Sequence, residues 1–140
     1  MDPKVIELVQ SSWRSVEPIA PQAAELFYGN LFAADPALKA LFKGDMVQQG
    51  AKLMQMIGAA VRGLDDVPSL LPVLQALGVR HQGYGVSPKD YEVVGAALLD
   101  TLAQGLGAAF TPDVQDAWAT VYTTMASVMT QAAEQGRAAA

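Results

Sequence analysis

The chain has no cysteine and one histidine, His81, among its 140 residues. Without cysteine there can be no disulfide, thiolate zinc or iron–sulfur site, cysteine nucleophile or thioether-linked cofactor. One histidine rules out an all-protein site of several imidazoles within a single chain, and any Ser-His-Asp arrangement would have to use this residue. Positive charge is scarce as well. Nine basic against fourteen acidic residues give a net charge of −5, the wrong sign for gripping phosphate backbones, which argues against a nucleic-acid partner. Long apolar runs are missing. The segment Met1–Glu7 has scattered charges and no signal-peptide core, so a cytoplasmic location is expected. The charge-free run from Ala117 to Ala133 carries Thr120, Tyr122, Thr123, Thr124, Ser127, Thr130 and Gln131, which makes it no bilayer span. No stretch alternates with period two, no Asn-Gly or Asp-Gly turn occurs, and no internal repeat is visible.

What is present is helical punctuation. Asp2-Pro3, Asp35-Pro36, Ser87-Pro88 and Thr111-Pro112 each pair a capping side chain with proline. The oxygen can satisfy a first-turn amide, and proline at the first helical position gives up no needed donor. Between these starts, apolar residues recur at steps of three and four. Ile6, Val9, Trp13 and Val16 form one stripe, and Ala24, Phe27, Tyr28 and Leu31 form the next. Pro18 and Pro21 separate them, and Leu38, Leu41 and Phe42 make a short third segment before Gly44. Asp45 caps a helix that places Gln49, Leu53, Met56/Ile57 and Ala60 on one face. Leu70, Leu74, Leu77, Gly78 and His81 share another, so the histidine points where the leucines point. Tyr91, Val94, Leu98, Leu102 and Leu106 follow, then Val114, Trp118, Val121, Met125 and Val128. The expected fold is all-α: a single domain over 1–140, a helical sandwich of about seven helices, with a tail fraying from Gln135. With 51% hydrophobic residues the chain can build a core without covalent staples.

Phe42 lies 39 residues before His81, Gln49 lies 32 before it and Leu53 lies 28 before it, with Tyr28 further back. This order, over about Pro3 to Thr130, resembles the globin family, in particular bacterial single-domain globins and the haem domain of flavohaemoglobins. The strings Leu26-Phe27-Tyr28-Gly29-Asn30-Leu31-Phe32 and Asp35-Pro36-Ala37-Leu38-Lys39-Ala40-Leu41-Phe42 are similar to that family's second and third helices. Leu71-Pro72-Val73-Leu74-Gln75-Ala76-Leu77-Gly78-Val79-Arg80-His81 is similar to its proximal helix, and Tyr91-Glu92-Val93-Val94-Gly95 and Ala117-Trp118 to its last two.

The resemblance implies a globin fold around a haem pocket holding haem b, iron protoporphyrin IX. His81 would be the proximal iron ligand, Phe42 would pack on haem, and Gln49, Leu53 and Tyr28 would form the distal side. Lys52 and Arg80 are candidates for pairing with haem propionates, while Met54 and Met56 read as packing residues. Haem iron needs one strong axial base and an open opposite position for a gas, so one histidine suffices. The Tyr28 hydroxyl and Gln49 amide can both donate to a ligand that gains negative charge. The implied ligands are dioxygen, nitric oxide and carbon monoxide, and the implied reaction is nitric oxide dioxygenation to nitrate. Oxygen storage, delivery or sensing without turnover is the alternative, and a cofactor-free interaction domain is a more distant one.

In the flavohaemoglobin-like pattern the proximal histidine has a tyrosine and a glutamate beside it. Tyr91 stands ten residues after His81 as expected, but counting from Trp118 puts Ala133 at the glutamate position and Glu134 one residue late. One residue is about 100° around a helix, so the proximal network is expected to be incomplete. No flavin or nicotinamide module lies within the 140 residues, so turnover would need a separate reductase. Either a monomer or a homodimer is compatible with the sequence.

Overall fold

The computed structural model describes residues 2–42, 44–83 and 85–139, with side chains as far as Gln135. Six α-helices, α1 (Pro3–Val16), α2 (Ala20–Ala34), α3 (Met46–Arg62), α4 (Val67–Gly83), α5 (Pro88–Leu106) and α6 (Pro112–Ala139), account for most of the described residues, and no strand occurs among them. The all-α expectation holds, with one correction. The segment expected as the third of about seven helices, Pro36–Leu41, is a tight 3₁₀ turn, as are Glu17–Ile19, Gly63–Asp66 and Gly107–Ala109. Six residues between the Asp35 cap and the extended Phe42 give room for two 3₁₀ turns but little α-helix. α6 runs to Ala139, and Ala140 lies outside the described residues.

Three of the four cap-proline pairs act as the sequence indicates. Asp2 accepts from the Lys4 amide at 2.8 Å, Asp35 from Ala37 at 3.2 Å, and the Thr111 hydroxyl from Val114 at 3.3 Å. At α5 the bond runs the other way, the Ser87 amide donating to the Asp90 carboxylate at 2.9 Å.

The core lies where α1, α2, α5 and α6 meet. Val9, Leu31, Leu102 and Val121 are fully enclosed, with Trp13, Phe27, Leu98 and Trp118 around them. Burying each such side chain contributes about 1.5–3 kcal/mol. Trp13 and Trp118 meet with ring centroids 6.0 Å apart, and the Trp118 indole donates to Ser12 Oγ at 2.8 Å, joining α6 to α1. Thr101 is buried but satisfied: its hydroxyl donates to the Ala97 carbonyl at 2.7 Å and accepts from Asn30 at 3.1 Å, linking α5 to α2. α4 packs along α6 at Gly78, where a Cβ would fall 2.1 Å from the Met129 carbonyl oxygen, so only glycine permits this approach.

The connectivity positions the site. α3 rests on α1 and α2, whereas α4 rests on α6, and α3 and α4 do not pack extensively on each other. Two helices joined by a short turn are thus carried by different neighbours, and the space between them is the candidate crevice.

Candidate functional site

One wall of the crevice comes from α2 and the segment after it. Tyr28 is buried, and its ring meets Phe27 at 5.5 Å, Phe42 at 5.3 Å edge-on and Phe32 at 5.8 Å in a stack; Phe32 and Phe42 meet at 5.5 Å. Phe42 reaches this cluster because the 3₁₀ turn ends in extended backbone that redirects its side chain. The Tyr28 hydroxyl makes no hydrogen bond to any described residue, and burial raises its pKa, so it is a protonated donor at neutral pH. Held in place by aromatic neighbours, it can serve an incoming acceptor.

α3 begins where Asp45 accepts from the Val47 and Gln48 amides, and it presents two different faces. Gly50, Met54, Gly58 and Val61 are buried against α1 and α2, which bears out the packing role of Met54. The face singled out from sequence, Gln49, Leu53, Met56, Ile57 and Ala60, is only half-buried and turns elsewhere. Gln49 extends its amide toward Gly44, where a Cβ would lie 3.7 Å from Nε2. Gly44 has φ +96°, a backbone state that favours glycine and allows the sharp turn ahead of α3.

The opposite wall is α4, with Leu70, Leu74 and Gly78 buried and Leu77 and His81 half-buried. His81 Nδ1 lies 2.7 Å from the Leu77 carbonyl oxygen. A carbonyl can only accept, so Nδ1 carries a proton, and in the neutral ring the lone pair is then on Nε2. Metal-binding imidazoles show this pattern, in which the second nitrogen fixes ring orientation by donating to a carbonyl. Gly85, four residues on, lies close to Leu41; a Cβ there would be 3.8 Å from Leu41 Cδ2. The turn after α4 therefore meets the segment that delivers Phe42. Lys52 and Arg80 are both exposed, one on each wall helix.

Behind His81, the Tyr91 ring lies 6.4 Å away at 31°, and the Tyr122 hydroxyl donates to the Tyr91 carbonyl at 2.5 Å. Tyr122 was not marked out by the sequence stripes. The available signal was Gly95, an interior helical glycine, where a Cβ would come within 2.7 Å of the Tyr122 ring. Ala133 is buried beside Gly78, Tyr91 and Thr130 at a cavity of about 300 Å³, whereas Glu134 is exposed. The incomplete proximal network read from the sequence thus has a spatial counterpart: a methyl group, not a carboxylate, faces this space.

Burial and the proximity of Tyr91 push the Tyr122 phenol well above its ordinary value of 10.0. In the unfolded chain the proton leaves near pH 10, so above that pH the unfolded state binds fewer protons than the folded one. The stability from this phenol is therefore complete below about pH 10 and lost as pH rises further. Tyr122→Phe is expected to cost about 1–2 kcal/mol at neutral pH, through loss of the bond to Tyr91, and to flatten the alkaline decline. Urea denaturation at neutral pH and near pH 11 measures both effects.

The residues present fit a haem. One half-buried imidazole is oriented by the Leu77 carbonyl, α3 and α4 both carry apolar stripes, and α2 supplies a buried phenol. Comparison with known proteins agrees. The Globin family matches residues 25–129. The chain is 34% identical to neuroglobin of Danio rerio and 32% identical to the neuroglobins of Dissostichus mawsoni and Chaenocephalus aceratus. Each of these likenesses covers 89% of this chain and 87% of the relative. The chain belongs to the globin family. Membership implies a haem cofactor and gas ligands such as dioxygen. Among the described residues, no helix is long and apolar enough to cross a membrane.

Proposed function

We propose that this chain is a haem-binding globin that reversibly binds dioxygen and other diatomic gases, with haem b held by His81 Nε2. The observation carrying this reading is the His81 Nδ1 bond to the Leu77 carbonyl, which orients the imidazole on a half-buried face of α4. Phe42 and Leu53 would pack on the macrocycle, Lys52 and Arg80 would meet its propionates, and Tyr28 and Gln49 would donate to the bound gas. Tyr91 would back the proximal imidazole. Haem would supply an iron able to bind a diatomic molecule reversibly. Absorption spectra of the ferric, ferrous and gas-equilibrated protein test this, and failure to take up haem on reconstitution would overturn it.

Tyr28 supplies a donor in surroundings where one charged partner and little water strengthen a hydrogen bond. Tyr28→Phe is expected to raise the dioxygen dissociation rate roughly 5–150-fold, equivalent to about 1–3 kcal/mol, by stopped-flow measurement. An unchanged rate would remove Tyr28 from the distal role.

The reaction supported by this donor set is nitric oxide dioxygenation, in which nitric oxide, dioxygen and one electron give nitrate. A separate reductase in the cytoplasm would supply the electron. Storage, delivery or sensing without turnover is the second reading, and the placement of Ala133 favours it, since no carboxylate at that position enriches the proximal imidazole. Nitric oxide consumption with an added reductase separates the two. The strings Leu26–Phe32 and Leu71–His81 support assignment to the bacterial single-domain branch within the family.

A further inference from the structure

A second concavity lies away from His81. It is a groove of about 860 Å³ on the other side of α3, between that helix and the α1–α2 corner. Of the α3 residues lining it, Val47, Gly50, Ala51, Met54, Gly58 and Arg62 recur at helical spacing on a face turned away from Gln49 and Leu53, and Tyr28 and Phe32 line it from α2. Small side chains make its floor: Gly50 approaches Ala24 so closely that a Cβ would lie 2.9 Å from that methyl group. The volume is in the range of small-molecule sites.

One end of the groove is chemically distinct. Trp13 Nε1 is a buried donor with no hydrogen-bond partner, on a residue only 3% exposed. A Cβ at Gly58 would lie 3.2 Å from it and 3.3 Å from Arg62 Nη1, so the two nitrogens are at most about 6.5 Å apart over a bare glycine. Both groups only donate. Trp118, by contrast, satisfies its indole on Ser12. Two donors converging without an acceptor is an arrangement that an incoming oxygen ligand would stabilise, because a buried unsatisfied N–H is costly and a guanidinium pairs best with an anion. Glu17, one turn after Trp13, and Glu25 of α2 also line the groove, and among the described residues Arg62 makes no ion pair with either.

We propose that this groove binds an amphiphile with one carboxylate head and an unbranched apolar tail. The carboxylate accepts from Trp13 Nε1 and the Arg62 guanidinium, and the tail lies along Met54, Ala24 and Ala51 toward Val47. Gly58 to Val47 spans about 16 Å of helix, which suits a tail of roughly ten to twelve carbons. The proposal does not depend on haem ligation by His81.

The chain has two tryptophans, so indole N–H resonances of the ¹⁵N-labelled, full-length protein read the site directly. Titration with sodium dodecanoate below its micellar concentration is expected to shift the Trp13 indole signal saturably and leave that of Trp118 nearly still. Dodecanol, which lacks the charge, and acetate, which lacks the tail, are each expected to bind at least about tenfold more weakly. Arg62→Gln, a change at an exposed position, is expected to weaken dodecanoate binding about tenfold or more while the circular dichroism stays unchanged. Gly58→Ala, which puts a methyl group between the donors, is expected to weaken it as well. A Trp13 signal that does not move, a response only above the micellar concentration, or equal affinity in Arg62→Gln would each overturn the proposal.

Discussion

His81→Ala is expected to release haem at least about 100-fold faster than the unaltered protein, with loss of the native Soret spectrum. Removing an outer-shell partner of a metal ligand typically costs 10–100-fold, and His81 is proposed as the ligand itself. No other histidine or cysteine exists to replace it. Because the side chain is only half-buried on α4 and its Nδ1 bonds to its own helix, the fold should survive. Circular dichroism checks this, and added imidazole, which can occupy the space left by the ring, should restore part of the spectrum. A variant that retains its full complement of haem and an unaltered spectrum would overturn the assignment of the proximal ligand.

Gly78→Ala is expected to be the most destabilising of these substitutions. The added methyl would sit 2.1 Å from the Met129 carbonyl oxygen and 2.6 Å from its Cα, both backbone atoms that cannot rotate aside. α4 and α6 would have to separate along their longest interface. Overpacking of this kind costs about 3 kcal/mol or more, which for a chain of this size lowers Tm by roughly 10 °C. His81 lies three residues along on the same face, so haem affinity should fall with stability. Thermal unfolding and haem titration of the variant measure the two together, and a Tm within a degree or two of the unaltered protein would show that the close approach carries little energy.

Much of this architecture is written in local chemistry. Asp2, Asp35, Ser87 and Thr111 each precede a proline, and each begins a helix or turn in the structure. The alignment of His81 with Leu70, Leu74 and Gly78 follows from spacing alone, and the structure keeps it. The less legible parts depend on approach between distant segments. Nothing local says that Pro36–Leu41 tightens to 3₁₀, because that follows from how soon Phe42 must turn toward Tyr28. Nor does a stripe reveal that α3 uses two faces, with Gly50, Met54 and Gly58 buried while Gln49 and Leu53 stay half-open. The Tyr122 bond to Tyr91 and the unsatisfied Trp13 indole depend on contacts between helices far apart in the chain. Their only forewarning was glycine at Gly95 and Gly58, residues whose missing side chains mark where another group comes near.

The tryptophan joint has a consequence beyond cohesion. α3 is carried by α1 and α2 and α4 by α6, so α1 and α6 act as the arms of a calliper whose pivot is Trp13 against Trp118. The gap between the jaws, where Leu53 and His81 stand, is then gauged by ring packing at the pivot. Substitutions there would alter gas affinity through the width of the opening, without touching any residue that lines it.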